Sequence, residues 1–280
     1  MPDRTGLAGL LLFLLIAVGP IGFSLGYALL YSIGAVGLLS EGVTGGHWAK
    51  LFLEREIWQS FAVSVYVALV TVGATVVVAL PLAVGFRRQL ERGPLSYLMY
   101  APLAIPSTVA AFIVFQTLSG AGFFSRIAYQ AGWIQGTEGW PELVLDPWNI
   151  GVLVAHIGMA VPFFVLLFAQ VYAQAGVPKL EQLARTLGAG RVQVVRRVTV
   201  PVVLRRSFEN LVLLFVFVLG SYEVPLLLGQ QSPQMVSVLT MRKYAMFDLT
   251  QKPEAFVIAI GYFLLASLLL VWAFRKPAEG

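Results

Sequence analysis

Six apolar stretches, each about 20 residues or longer, recur along the chain: Leu7–Ser32, Gln59–Phe86, Tyr97–Leu118, Ile150–Ala173, Phe208–Leu228 and Ala255–Phe274. Each is long enough for a helix to cross the hydrocarbon of a bilayer. Strands in a membrane barrel would alternate apolar and polar residues with period two, and these runs do not. In lipid every backbone N–H and C=O must find a partner within the chain, so unbroken apolar runs are read as helices. With 58% hydrophobic and only 12% charged residues, little sequence remains for a soluble domain. The expected fold is an all-α membrane protein: a bundle of six transmembrane helices forming a single domain over residues 1–280.

The segments between the runs divide by charge. Arg4, then Arg87, Arg88 and Arg92, then seven basic residues between 177 and 206, then Arg275 and Lys276 fall on one side of the expected membrane. The opposite side has fewer basic residues and most of the loop acids, among them Glu41, Glu54, Glu56, Glu138, Glu142 and Asp146. By the positive-inside rule both termini are expected in the cytoplasm of a multi-pass cell (inner) membrane protein, in keeping with an even number of spans. The net charge of +5 is therefore a topology signal; nucleic-acid binding, which needs one continuous basic patch, is not expected. Leu7–Ser32 exceeds the apolar core of a signal peptide and is read as a span. The chain has no cysteine, which excludes disulfides and thiolate metal sites.

The insert Val177–Arg206 interrupts this apolar pattern. Its basic residues are Lys179, Arg185, Arg191, Arg196, Arg197, Arg205 and Arg206, yet its apolar residues keep a helical rhythm. Leu180, Leu183, Ala184 and Leu187 fall on one face of a helix, which Gly188 is placed to end. A second short helix is expected from Arg191, with Val192, Val195 and Val198 on one face and Pro201 as its stop. Such a face suits either a soluble partner or the surface of an anionic membrane.

Recognisable catalytic chemistry is missing. The sequence has no GxxxxGK[ST] phosphate loop, no HExxH and no GxSxG, so neither catalytic residues nor a metal site are expected. Within the spans a few polar residues stand out. Glu223 lies 15 residues beyond Phe208, roughly 22 Å along a helix, and a carboxylate there must be paired, protonated or wetted. It is either a satisfied interhelical or interfacial group or part of a solute path, with Tyr222 and Gln116 as weaker candidates. His156, in the fourth run, is either a structural hydrogen-bonding residue or a solute contact. Pro20, Pro81, Pro106, Pro162 and Pro225 predict bends, which serve as joints in moving bundles and also occur in static ones. Trp48, Trp58, Trp133, Trp140, Trp148 and Trp272 suit the membrane–water interface.

The insert also carries a resemblance. Gln182-Leu183-Ala184, three residues, Gly188, nine residues and Val198-Thr199-Val200-Pro201 are similar to the EAA–Gly–IxLP loop of the permease subunits of binding-protein-dependent ABC importers. Gln182 stands where the family carries Glu, with Glu181 beside it. The resemblance implies a type I ABC importer architecture in which 177–206 is a cytoplasmic coupling loop. It assigns coupling to an ATPase to Leu180, Glu181, Gln182, Leu183, Ala184, Leu187, Gly188, Arg191 and Pro201. It implies two cytoplasmic ATP-binding subunits that supply ATP and Mg, so this chain needs no cofactor and is not itself an enzyme. It also implies a second permease subunit, expected to be non-identical, and an extracytoplasmic solute-binding protein, with membrane lipid around the spans. The tract Gly220–Gly229 resembles the spermidine/putrescine–iron–thiamine–phosphonate type, implying a polyamine or other small solute. A secondary transporter driven by an ion gradient, using Glu223 and His156, is the alternative from another class.

Overall fold

A computed structural model describes residues 4–37, 40 and 42–275, which are 79% helical and contain no strand. Glu41 and Lys276, used in the charge distribution, lie outside the described residues, as do the side chains of Arg4, Arg88 and Arg92. The helices in chain order are α1 (Arg4–Phe13), α2 (Gly19–Ser32), α3 (Gly46–Leu53), α4 (Arg55–Gly85), α5 (Arg87–Arg92), α6 (Pro94–Tyr100), α7 (Ser107–Leu118) and α8 (Phe123–Gln130). Then follow α9 (Ile150–Gln174), α10 (Val177–Thr186), α11 (Arg191–Val194), α12 (Val200–Arg206), α13 (Phe208–Leu219), α14 (Glu223–Leu228), α15 (Val236–Ala245) and α16 (Lys252–Arg275). Among the described residues, five stretches are long and apolar enough to cross a membrane, and α13 is a shorter apolar helix.

Two expected spans are broken helices. Pro106 holds Ile105 extended, at ψ 120°, because its ring disfavours a helical residue before it. The run Tyr97–Leu118 therefore becomes α6, a 3-10 turn (Ala101–Ala104) and α7. The run Phe208–Leu228 stops at Leu219 and restarts at Glu223, after Gly220, Ser221 and Tyr222. Pro225 sits in the first turn of α14, where its missing N–H has no intrahelical partner to lose. Pro81 and Pro162, by contrast, lie inside α4 and α9.

The expected stop at Pro201 is not observed. Helical structure runs from Arg191 to Arg206 through a π-turn at Val195–Thr199. Proline clashes with the carbonyl four residues back. Here the residue before it, Val200, bonds to the Val195 carbonyl, five back, so the widened turn accommodates the ring. Gly19 bonds to Leu14 in the same way, one residue before Pro20.

The described residues form two compact units, one from those up to Phe61 together with Val236–Ser267, the other from Ala62–Met235 together with those from Leu268 onward. In the second, Ala79 and Ala83 of α4 pack in one core with Phe164, Val165, Phe168 and Tyr172 of α9, Val177 of α10 and Val203 of α12. Small residues on α4 let the aromatic side chains of α9 approach closely. Phe164 and Phe168 meet edge to face, 5.5 Å between centroids. At the start of α9, Asp146 accepts the N–H groups of Trp148 (2.9 Å) and Ile150 (2.8 Å) while 1% exposed. We predict that Asp146→Ala lowers stability by about 1–2 kcal/mol, the usual cost of a lost cap, as a reduced melting temperature of the purified protein.

The first unit has an apolar core of Leu51, Ile57, Val236, Leu239, Val257 and Ile258. Beside it lies a charge network that the sequence reading treated as loop charge. Lys243 Nζ donates to Glu254 (2.8 Å) and Glu54 (3.0 Å), Lys50 reaches Glu254 at 3.1 Å, and Arg242 pairs with Glu56. Burial pulls the Lys243 ammonium down, but the hydrogen bonds to Glu254 and Glu54 outweigh it and hold the pKa above the ordinary lysine value. Its contribution to stability is therefore fully present below that ordinary value and is lost as pH rises through the raised one. Lys243→Met leaves two acids short of a partner, although Lys50 still serves Glu254. A loss of about 2 kcal/mol is expected at neutral pH, read by thermal unfolding. The gap to wild type should close in alkali as Lys243 deprotonates and narrow in acid as Glu254 protonates, since burial raises the Glu254 pKa but the hydrogen bonds from Lys243 and Lys50 lower it further.

Candidate functional site

The insert is built from the end of α9 outward. Gly176 adopts φ +63° and turns the chain from α9 into α10, and Pro178 fits the first turn of α10. Gly188, at φ +86°, closes the other end. Its N–H bonds to the Arg185 carbonyl (3.0 Å), and the Ala189 N–H reaches back to the Ala184 carbonyl (3.0 Å). This is the Schellman arrangement, and it favours glycine at the left-handed position. A Cβ built on Gly188 meets nothing within 4 Å, so the space beyond it is not filled by this chain.

The faces of α10 differ in character. Leu180, Leu183 and Leu187 are 40%, 60% and 81% exposed, and Gln182 is also exposed. Ala184 is half-buried, and Arg191, just beyond the turn, is exposed. The other face carries Val177, fully buried, and Glu181, whose side chain is 8% exposed. The resemblance assigns Glu181 to coupling with the ATPase; in the structure its side chain turns back into the chain, away from the exposed leucines. Its Oε1 accepts from Thr199 Oγ1 at 2.7 Å, and its Oε2 lies 3.8 Å from Arg87 Nη1 and 4.0 Å from Arg185 Nη2. The inward position follows from spacing, since residues 177, 181 and 184 share a stripe. Pro201 belongs to the first turn of α12, away from the exposed leucines in sequence and without a helix end to make.

A second polar locus lies where the two broken spans meet. The first residues of α7 and α14 are Ser107 and Glu223, and Ser107 Oγ donates to a Glu223 carboxylate oxygen. Glu223 and Tyr222 remain exposed on the surface of this chain. Ser107 was absent from the sequence candidates, although a Ser directly after proline and ahead of an apolar run is a helix-start signal. Gln116, near the far end of α7, is exposed and is not brought to this locus.

His156 lies elsewhere. It is 2% exposed, its Nδ1 donates to the Val152 carbonyl at 2.9 Å, and its Nε2 has no hydrogen-bond partner. A cavity of about 290 Å³ beside it is lined mainly by apolar side chains of α9 and α13, with Asn210 as its other polar residue.

Comparison with known proteins agrees with this architecture. Residues 76–276, more than half of the chain, match the family described as binding-protein-dependent transport system inner membrane component. The sulfate transport system permease protein CysT of Salmonella typhimurium (strain LT2) is 28% identical over 179 residues, which take in 64% of this chain and 60% of that protein. The molybdenum transport system permease protein ModB of Escherichia coli (strain K12) is 26% identical over 235 residues, 79% of this chain and 95% of that protein. Among solved structures, a bacterial ABC transporter that imports the acidic polysaccharide alginate has a chain of similar fold. Its TM-score is 0.63 at 18% identity, covering 98% of this chain and 94% of that one. A second structure of the alginate transporter, in complex with its pentasaccharide-bound periplasmic protein, matches equally well, with a TM-score of 0.63. The chain belongs to the binding-protein-dependent transport system inner membrane components, the permease subunits of ABC importers.

Proposed function

We propose that this chain forms half of a solute path through the cell (inner) membrane, with a second, non-identical permease subunit, and moves solute by alternating access. Two ATP-binding subunits drive it from the cytoplasm, where both termini lie, and an extracytoplasmic binding protein delivers the solute. Hydrolysis occurs in the partners, which hold ATP and Mg; this chain contributes binding surface and movement. The observation that carries the reading is α10: three exposed leucines on a short helix, ended by a glycine whose outer side is open. Such a helix offers an apolar anchor to a groove and leaves room for a close approach of a partner's backbone. A carboxylate in place of Leu183 should weaken ATPase association at least about thirtyfold, the scale of one lost buried leucine contact, in a pull-down of tagged chain. Undiminished association of Leu183→Asp would count against this surface.

The exposed Glu223 bears on the path. Lipid is a costly neighbour for a carboxylate at this depth, so the face around Ser107, Tyr222 and Glu223 suits a wetted path or a second membrane subunit. The curated relatives are named for sulfate and molybdenum, and their similarity extends over 179 and 235 residues. They support an oxyanion as the solute. The second reading, a polyamine, is favoured by the Glu223 carboxylate and the tract Gly220–Gly229. Uptake of labelled sulfate, molybdate and spermidine into vesicles holding the full complex separates the two. Uptake abolished by an ionophore but indifferent to ATP depletion would instead support an ion-gradient transporter.

A further inference from the structure

We infer that Glu181 is a positioning residue that fixes the roll of α10 about its own axis, so that force on the exposed leucines passes into the spans. The inference rests on the importer reading for its consequence, though not for its geometry. Glu181 is where α10 meets three other parts of the chain. Thr199, its 2.7 Å donor, lies in the π-turn that leads through α12 to α13. Arg87, 3.8 Å away, begins α5 just after the inner end of α4. The same guanidinium donates to Tyr172 Oη at 2.7 Å and lies 5.2 Å from the Tyr172 ring centre, near the end of α9. One carboxylate thus ties α10 to the cytoplasmic ends of the second and fourth spans and to the approach to the fifth.

The need for such a tie follows from the size of α10. It has 10 residues, about 15 Å of helix, with glycine turns at both ends. Its inward face offers one fully buried apolar side chain, Val177, and the half-buried Ala184. Val177 fixes one end of the helix but resists rotation weakly. Glu181, one turn further on, supplies the second point. Rolling the helix would strip the largely buried carboxylate of its arginine partners, which line a polar cavity of about 660 Å³ with it, and would leave the fully buried Thr199 hydroxyl without its acceptor, which is costly. The exposed and buried faces therefore have separate tasks. The leucines meet the partner, and Glu181 holds the angle at which they meet it.

Two measurements test this. The chain is free of cysteine, so Leu183→Cys carries a single spin label on the isolated, full-length chain. Adding Glu181→Ala should increase the label's mobility, and Thr199→Val should do so less. Unchanged mobility in Glu181→Ala would overturn the inference whether or not an ATPase binds. In the reconstituted complex with Leu183 intact, Glu181→Ala should keep the ATPase subunits in the wild-type ratio. Solute moved per ATP should fall roughly tenfold, the scale of one lost charge-assisted hydrogen bond. Glu181→Gln, which retains an acceptor for Thr199, should recover most of that loss. A parallel fall in uptake and hydrolysis at constant ratio would mark a merely structural role and overturn the inference. Failure of the wild-type chain to retain any ATPase would instead overturn the importer reading, leaving the mobility result to decide the geometry.

Discussion

Replacing Gly188 by Trp is expected to abolish uptake and to strip the ATPase subunits from the complex, while leaving the chain itself folded in the membrane. The expectation comes from two properties of this glycine that act separately. Its φ of +86° penalises any side chain by about 1–2 kcal/mol. That cost alone is small for the chain, because the helix end is also held by the Ala189-to-Ala184 bond. The second property is the open space: a Cβ meets no atom of this chain, so an indole would project into whatever lies beyond. Gly188→Ala therefore reports backbone strain and should leave most association intact. Gly188→Trp adds bulk and should lose association altogether. Detergent solubility and melting temperature, measured on the same preparations, separate loss of fold from loss of partner. Normal association and uptake with Trp at this position would mean that no partner approaches the turn.

The second large effect is expected at Glu223. Its carboxylate joins the first residue of α14 to the first residue of α7, so it bridges the breaks in two spans. It is also exposed on this chain at a depth where lipid is a poor neighbour. Glu223→Leu removes both the bridge and the charge, and uptake should fall by about a hundredfold with the complex still assembled. Glu223→Gln keeps an acceptor for Ser107 and removes only the charge. If the solute is an oxyanion, the Gln variant should retain or gain uptake, because a like charge has been withdrawn from the path. If the solute is a polyamine, the Gln variant should lose nearly as much as the Leu variant. Ser107→Ala isolates the bridge. Uptake unchanged in Glu223→Leu would remove this residue from the path.

How much of this was legible before the structure differs by element. The long apolar runs are read reliably because a helix crossing lipid must satisfy its own backbone, and α4, α9 and α16 follow the expected spans closely. The breaks in the third and fifth spans were harder to see. Hydropathy is blind to interruptions as short as residues 101–106 and 220–222, and only Pro106 and Gly220 signal them. The π-turn before Pro201 was not legible, since a proline inside a helical pattern is ordinarily a stop. Along α10, periodicity correctly placed Leu180, Leu183 and Leu187 together. It could not say which face Glu181 occupies relative to the spans, because that depends on Thr199 and Arg87, 18 residues ahead and 94 residues behind in the chain. The network around Lys243 is of the same kind. Glu54, Lys243 and Glu254 look like loop charges until folding brings them to within 3.0 Å.

The central claim is that the exposed leucine face of α10 meets an ATP-binding subunit. A photoreactive amino acid at position 187, the most exposed of the three leucines, tests it in native membranes without prior purification. Irradiation of the intact complex is predicted to give one dominant adduct, containing a soluble subunit with a nucleotide-binding sequence, and the adduct should disappear when Gly188→Trp is added. Adducts formed only with lipid, or with another membrane subunit, would contradict the claim.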